Sequence, residues 1–225
     1  MYAYNRFGRE RMYCGVDEAG RGSAMGPLVV GVVFVEDDGP LKEIGVKDSK
    51  KLTPKARERM YDQITSSVAQ WCTVVISSEE IDEQRKRISL NEIELNMFAE
   101  GVSKGKADTV YADCPDVNEV SFGSRLSTIL GEGAEIIAKH KADDTYPVVS
   151  AASIVAKVTR DRMMKDLQKE FGTEIGSGYP SDKVTMDFIQ DWIARNGKAP
   201  PHVRTSWEPV REMLSRRKNT KLDDW

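Results

Sequence analysis

Histidine and cysteine are scarce in this sequence, and the scarcity narrows its chemistry. The three cysteines, Cys14, Cys72 and Cys114, are widely spaced and odd in number, which argues against a disulfide framework and against a thiolate zinc site. They read as small buried hydrophobes. The two histidines, His140 and His202, are assigned to surface or packing roles rather than to metal ligation or proton transfer. Long apolar runs are missing as well: the longest, Pro27 to Val35, falls far short of the about 20 residues that a membrane-spanning helix needs. The polar stretch from Met1 to Met12 lacks the apolar core of a secretory signal, so a cytoplasmic location is expected. No internal repeat, low-complexity tract or long linker interrupts the chain. Charge of one sign is not in excess either. The 33 Lys and Arg against 36 Asp and Glu leave a net charge of −3, which, averaged over a surface, gives nucleic-acid binding no support. The average hides a pattern, because basic residues collect at Lys47 to Lys55, Lys157 to Arg162 and Arg204 to Lys221.

What is present is an ordinary globular composition, 40% hydrophobic and 31% charged, on 225 residues, enough for one core and a small appendage. Tyr13 to Asp17 and the valine-rich Pro27 to Val35 read as two opening strands around a glycine-rich turn. Thr53 and Pro54 start a helix that runs through Ala69, and Trp71 to Ser77 is a third strand. Ser78 to Gly105 carries one or two helices. Thr109 to Ala112 is a brief strand, Asn118 to Leu130 a helix and Ala134 to Ala138 a fifth strand. A loop from Lys139 to Tyr146 follows. Ser150 to Phe171 then forms a long helix, with shorter ones at Ser181 to Arg195 and Glu208 to Arg217. The implied architecture is α/β, a mixed sheet covered on both faces. Residues 1–175 are expected to form this sheet domain and residues 176–225 a basic helical lobe.

The first strand ends in Asp17-Glu18-Ala19-Gly20-Arg21-Gly22, two carboxylates and two glycines where the backbone leaves the sheet. Side chains alternate along a strand, so Asp17 and Glu18 cannot face one ion unless the strand breaks there. One of them would otherwise act through its carbonyl or on a second ion. Gly20 and Gly22 permit positive φ and close approach to a phosphate or sugar, although a tight turn alone also accounts for them. A dinucleotide-binding turn is excluded, because strand-like valines follow where a helix would be required. Asp113 follows one strand and Asp143 lies in the loop before the long helix. Acids at the ends of separate elements, without Cys or His, suit Mg²⁺ or Mn²⁺, and an ion pair of that kind suits phosphodiester hydrolysis. From spacing alone, solvated loop acids are the better reading, since 36 acids guarantee such coincidences.

The wording of the motifs goes further. Asp17-Glu18-Ala19-Gly20-Arg21-Gly22 with Pro27 and Gly31 resembles the opening signature of type 2 ribonucleases H. Asp48-Ser49-Lys50-Lys51-Leu52, Tyr111-Ala112-Asp113, the run Tyr146 to Lys157 and Gly176-Ser177-Gly178-Tyr179-Pro180-Ser181-Asp182 resemble later blocks of that family, in the same order. The resemblance spans residues 13 to 207, and Lys141-Ala142-Asp143 with Arg204-Thr205-Ser206-Trp207 is similar to the archaeal branch.

By that resemblance the fold is the ribonuclease H-like mixed five-stranded sheet flanked by helices, with a C-terminal helical extension. It implies an endonuclease acting on RNA/DNA hybrids and on ribonucleotide-containing duplex DNA. The cut would fall on the 5′ side of the junction ribonucleotide, leaving 3′-hydroxyl and 5′-phosphate ends. The implied catalytic and metal-ligating set is Asp17, Glu18, Asp113 and Asp143, with two divalent ions, Mg²⁺ or Mn²⁺; Asp144 competes with Asp143 for the fourth place. Gly20, Arg21 and Gly22 would contact the ribonucleotide and sense its 2′-hydroxyl. Tyr179 would pack on the following deoxyribose, or else be a packing aromatic of the lobe. Lys50, Lys51, Lys157, Arg160 and Arg204 are candidates for backbone phosphates. Ser150 and Ser153 would bond a phosphate or cap the long helix. A strand transferase of the same fold would have no evident need of Gly20-Arg21-Gly22 or Tyr179, and a non-catalytic hybrid-binding module would be marked by lost carboxylates, whereas all four stand here. The chain is expected to work as a monomer. A sliding clamp is conceivable as a partner, but Arg211 to Trp225 contains no clear clamp-binding box.

Overall fold

Eight apolar and small residues, Leu28–Val35, form a strand, β2, that is buried from end to end. A strand with such a run must be covered on both faces, and that requirement organises the sheet. The computed structural model of the protein describes residues 11–46 and 53–220. Its five strands are β1 (Tyr13–Ala19), β2, β3 (Gln70–Ile76), β4 (Thr109–Asp113) and β5 (Glu135–Lys139), in the order β3-β2-β1-β4-β5. β1 is central. It pairs antiparallel with β2, Asp17 lying opposite Gly31, and parallel with β4, Val16 lying opposite Ala112. β4 and β5 are parallel. The expected mixed five-stranded sheet is the one observed.

Period-two alternation gives each face its own cover. One face carries Val16, Val32, Phe34 and Ala112, buried beneath α4 (Leu90–Ser103) and α5 (Glu119–Leu130), whose Phe98 and Phe122 rings meet edge to face at 5.7 Å. The other face carries Gly15, Asp17, Gly31 and Val33 beneath the long helix α7 (Pro147–Phe171). Glycine there is a packing device: a Cβ on Gly15 would stand 2.2 Å from the Val148 carbonyl oxygen, and one on Gly31 2.3 Å from that of Ala152. The helix backbone at Val148 and Val149 meets Gly15, and that at Ala152 and Ala156 meets Gly31, so α7 lies directly on the backbone of β1 and β2. Helices α1 (Gly39–Ile44) and α2 (Pro54–Ser67) contribute Leu41, Met60, Tyr61 and Ile64 to the same core.

Two departures from the sequence reading matter. The segment Lys139 to Tyr146, expected as a loop, contains the short helix α6 (Ala142–Thr145), entered through Lys141 at φ 55°. The long helix begins at Pro147, not Ser150, since proline's fixed φ and missing N–H suit a first helical turn.

The chain divides into two compact units. The first comprises Met1–Ala19, Val29–Val75 and Asn91–Thr159, and it holds the sheet. The second comprises Gly20–Leu28, Ile76–Leu90 and Arg160–Trp225. In it α3 (Ser78–Gln84), α8 (Lys183–Asn196), α9 (Glu208–Thr220) and the C-terminal part of α7 are present, with a core of Met25, Met164, Ile175, Phe188, Ile189, Ile193, Val203 and Val210. Among the described residues no helix is long and apolar enough to cross a membrane.

Candidate active site

Asp17 is the acid that the sheet places most deliberately. It shares a face of β1 with Gly15, lies under α7 and is 4% exposed. One rung beyond the registered pair Val16 and Ala112 stands Asp113, the last residue of β4, so the two carboxylates sit side by side on adjacent strands. Neighbouring strands are about 4.8 Å apart, a separation at which like charges in a buried setting repel strongly. Burial and then the Asp113 charge push the Asp17 carboxyl up to about 7, against the opposing pull of Lys157, a hydrogen bond from Ser153 and the Glu18 N–H, which donates to Asp17 Oδ1 at 2.7 Å. Ser153 and Lys157 lie four residues apart on α7, and Lys157 Nζ donates to Ser153 Oγ.

The other two acids are placed differently. Asp113 Oδ1 accepts the Ala142 N–H at 2.8 Å, which ties the end of β4 to the start of α6. Asp143 is itself buried, and its carbonyl accepts a hydrogen bond from Ser150 Oγ. Glu18 stays in an unbroken strand, since β1 continues to Ala19, and alternation turns it to the face opposite Asp17. Among the described residues no three His, Cys, Asp or Glu side chains are grouped as a ready-made metal cage. The site is a pair of acids, Asp17 and Asp113, followed in sequence by Glu18 and tied through the Ala142 N–H to the start of α6, where Asp143 is the next residue.

In the second unit the segment after β1 forms a tight loop. Gly20, at φ 94°, donates its N–H to Tyr179 Oη at 3.1 Å, and its carbonyl accepts Ser23 Oγ at 2.8 Å. A Cβ on Gly20 would lie 2.4 Å from both Arg160 Nε and the Pro27 carbonyl oxygen, so the fold itself demands glycine there. Gly22 is different. Its φ is not left-handed, and a Cβ on it would meet nothing within 4 Å. The expectation of a positive-φ glycine holds for Gly20 and not for Gly22.

Over residues 14–210 the chain matches the family model for ribonuclease HII. The chain belongs to the ribonuclease HII family. It is 43% identical over 212 residues to ribonuclease HII of Methanocorpusculum labreanum, covering 94% of this chain and 98% of that one. Among solved structures, the ribonuclease H2 of Pyrococcus horikoshii OT3 superposes with a TM-score of 0.86 at 40% identity, covering 92% of this chain and 99% of that one. The ribonuclease HII in the PCNA:RNase HII complex of Archaeoglobus fulgidus gives 0.84 at 39%, covering 89% and 96%. The relatives are mostly archaeal, in line with the Lys141-Ala142-Asp143 wording. As a member of that family the chain is an endonuclease of the ribonuclease H type, a hydrolase that acts on the RNA of RNA/DNA hybrids.

Several residues expected to touch phosphate have other work in this chain. Arg204 is 0% exposed, and its terminal nitrogens donate to the carbonyls of Arg21 (2.8 Å), Gly20 (2.7 Å) and Gly26 (3.3 Å). Burial, and next the nearby Arg160, pull its guanidinium down to about 9, still protonated at neutral pH. It lies beneath the loop, where no exposed phosphate reaches it. Arg160 is buried likewise. Ser150 and Ser153 cap no helix, because α7 starts before them; both are buried and bonded to Asp143 and Asp17. Lys157 is half-buried beside Asp17. Lys50 and Lys51 lie outside the described residues. Tyr179 is half-buried, with the Arg160 guanidinium 4.8 Å above its ring. Sequence reasoning missed Ser78, whose hydroxyl donates to the carbonyls of Gly26 and His202, both at 2.9 Å, and Asp82, which holds Thr205 and Ser206. Neither carries a local signal, because their partners are more than 50 residues away.

Proposed function

We infer that this enzyme cuts a strand on the 5′ side of the ribonucleotide at an RNA–DNA junction, including a single ribonucleotide embedded in duplex DNA, and leaves 3′-hydroxyl and 5′-phosphate ends. The observation that carries this reading is the placement of Asp17 and Asp113 side by side on the adjacent strands β1 and β4, with the start of α6, one residue before Asp143, bonded to Asp113. An acid pair, Asp17 buried and Asp113 half-buried, that keeps its charge only against mutual repulsion, with one lysine as partial compensation, fits a divalent cation, and an all-oxygen donor set fits Mg²⁺ or Mn²⁺. Asp17, Asp113 and Asp143, with Glu18 through its carbonyl, would hold two such ions. Bound there, the ions would supply an activated water and charge stabilisation at the leaving oxygen.

The chain's own groups do the rest. Ser153 and Lys157 hold the Asp17 carboxylate in place and partly neutralise it. The Ala142 N–H fixes the Asp113 carboxylate. Gly20, Arg21 and Gly22 contact the ribose, and the open space beside Gly22 admits a sugar edge that a side chain would obstruct. Tyr179 packs on the next sugar, where a 2′-hydroxyl would be excluded. Lys157, with Lys50 and Lys51, provides charge for the phosphates. The enzyme acts as a monomer, and a sliding clamp enters as a partner on the strength of the Archaeoglobus fulgidus complex.

Asp113→Ala is the test. It is expected to lower the Mg²⁺-dependent rate on a single-ribonucleotide duplex by about a thousandfold or more, with thermal stability retained. Wild-type activity in that variant would overturn the assignment.

A further inference from the structure

Two buried guanidiniums hold the loop that follows β1, and the hydrogen bonds they make there go to main-chain carbonyls. Arg204 takes those of Gly20, Arg21 and Gly26. Arg160 donates from Nε to Pro27 O at 3.2 Å, from Nη2 to Met25 O at 3.1 Å and from Nη1 to Ser177 O at 3.0 Å. Burying two like charges near each other is costly, and apolar side chains would fill the same space with less penalty. What apolar groups cannot do is turn peptide planes. In a planar trans peptide the C=O and N–H point in opposite directions. A Gly20 carbonyl drawn to Arg204 therefore sends the Arg21 N–H away from it, and an Arg21 carbonyl drawn to Arg204 sends away the Gly22 N–H. Two successive amides are thus turned the same way, beside a glycine that neither φ nor packing requires. Arg160 adds a link within the same unit: it stacks on Tyr179, whose hydroxyl accepts the Gly20 N–H.

We propose that Arg204 is a positioning residue for ribose recognition, aiming the Arg21 and Gly22 amides at the junction 2′-hydroxyl while Arg160 keeps that loop fixed to Tyr179. The proposal rests on the reading of Gly20, Arg21 and Gly22 as the ribose contact. Its consequence is that the fork of Arg204, not its charge, sets where the strand is cut.

Arg204→Lys keeps the charge and removes the fork. Its kcat/KM should be measured on a duplex with one ribonucleotide and on one with four in a row, using one preparation, so that the ratio cancels any loss of folded enzyme. The single-ribonucleotide value is expected to fall about tenfold further than the other, the scale of one oriented hydrogen bond. Cuts on the four-ribonucleotide duplex, concentrated at the junction by the wild type, are expected to spread along the ribonucleotides. Equal losses on both substrates with the junction pattern kept would overturn the proposal and leave Arg204 a fold residue. If Arg204→Lys does not fold, Arg160→Lys takes its place, with the same expected spread and the same overturning result. A wild type that shows no junction preference would instead overturn the ribose-contact reading, before any variant is compared.

Discussion

Asp17 concentrates the problem that this site solves. Its carboxyl is raised to about 7 by burial and by Asp113, so the folded chain holds that proton more tightly than the unfolded chain does. The stability this gives is complete below the unfolded value near 4 and is lost as pH rises through about 7. With a chelator present, the melting temperature is therefore expected to fall between about pH 4 and pH 7 and to level off above. Asp17→Asn should flatten that slope and be about 1–3 kcal/mol more stable than the wild type at pH 8. Added Mg²⁺ at pH 8 should recover the wild type and leave the variant unmoved; parallel pH profiles for the two would contradict this. The loop glycines separate in the same manner. Gly20→Ala should destabilise by about 1–3 kcal/mol, through its left-handed φ and its contact with Pro27 O. Gly22→Ala should leave the melting temperature unchanged and slow cleavage at a single ribonucleotide, and equal melting losses in both would undo the distinction. At this scale the motif residues were legible because their order and wording resemble those of a family. The jobs of the basic residues were not. Charge is written in a sequence and burial is not, so Arg204, read as a phosphate contact, proves to be a buried brace for carbonyls.

Among the elements, α7 does most to shape the site, since it seats Ser153 and Lys157 over Asp17. Its seat depends on Gly15 and Gly31. Gly31→Ala forces a Cβ to within 2.3 Å of the Ala152 carbonyl oxygen and should cost about 2–4 kcal/mol by thermal or denaturant unfolding. Gly123 in α5 is the control: a Cβ there meets Ala138 at an ordinary 3.6 Å, so Gly123→Ala should be neutral or stabilise by up to about 1 kcal/mol. If both substitutions behave alike, close packing of α7 is not what the glycines provide. The strands were readable because β1, β2 and β4 are apolar runs bounded by turn residues. α1 and α6 were not, being six and four residues long and too short to show a helical period. The start of α7 was misjudged because serines are strong caps, yet here they turn inward to acids and Pro147 opens the helix.

Over the whole molecule, a net charge of −3 coexists with a nucleic-acid substrate because basic residues gather in a few stretches of the sequence that the net value averages away. Binding of duplex should accordingly weaken with salt, log Kd rising roughly linearly with log salt concentration over about 50 to 200 mM. The second unit shows the limit of reading a chain in order. It is assembled from Gly20–Leu28, Ile76–Leu90 and Arg160–Trp225, joined by bonds such as Ser78 to His202 and Asp82 to Thr205, and contiguous segments in a sequence give no sign of such joining. The central claim, that paired carboxylates and a ribose-sensing loop together cut at a ribonucleotide, is tested most directly by mapping cleavage of a duplex that carries one ribonucleotide. An all-DNA duplex should be run beside it, each with Mg²⁺ and with EDTA. The account predicts one Mg²⁺-dependent cut, 5′ to the ribonucleotide, with a 3′-hydroxyl end and an untouched all-DNA duplex. Cutting that persists in EDTA, or that falls equally on both duplexes, would contradict it.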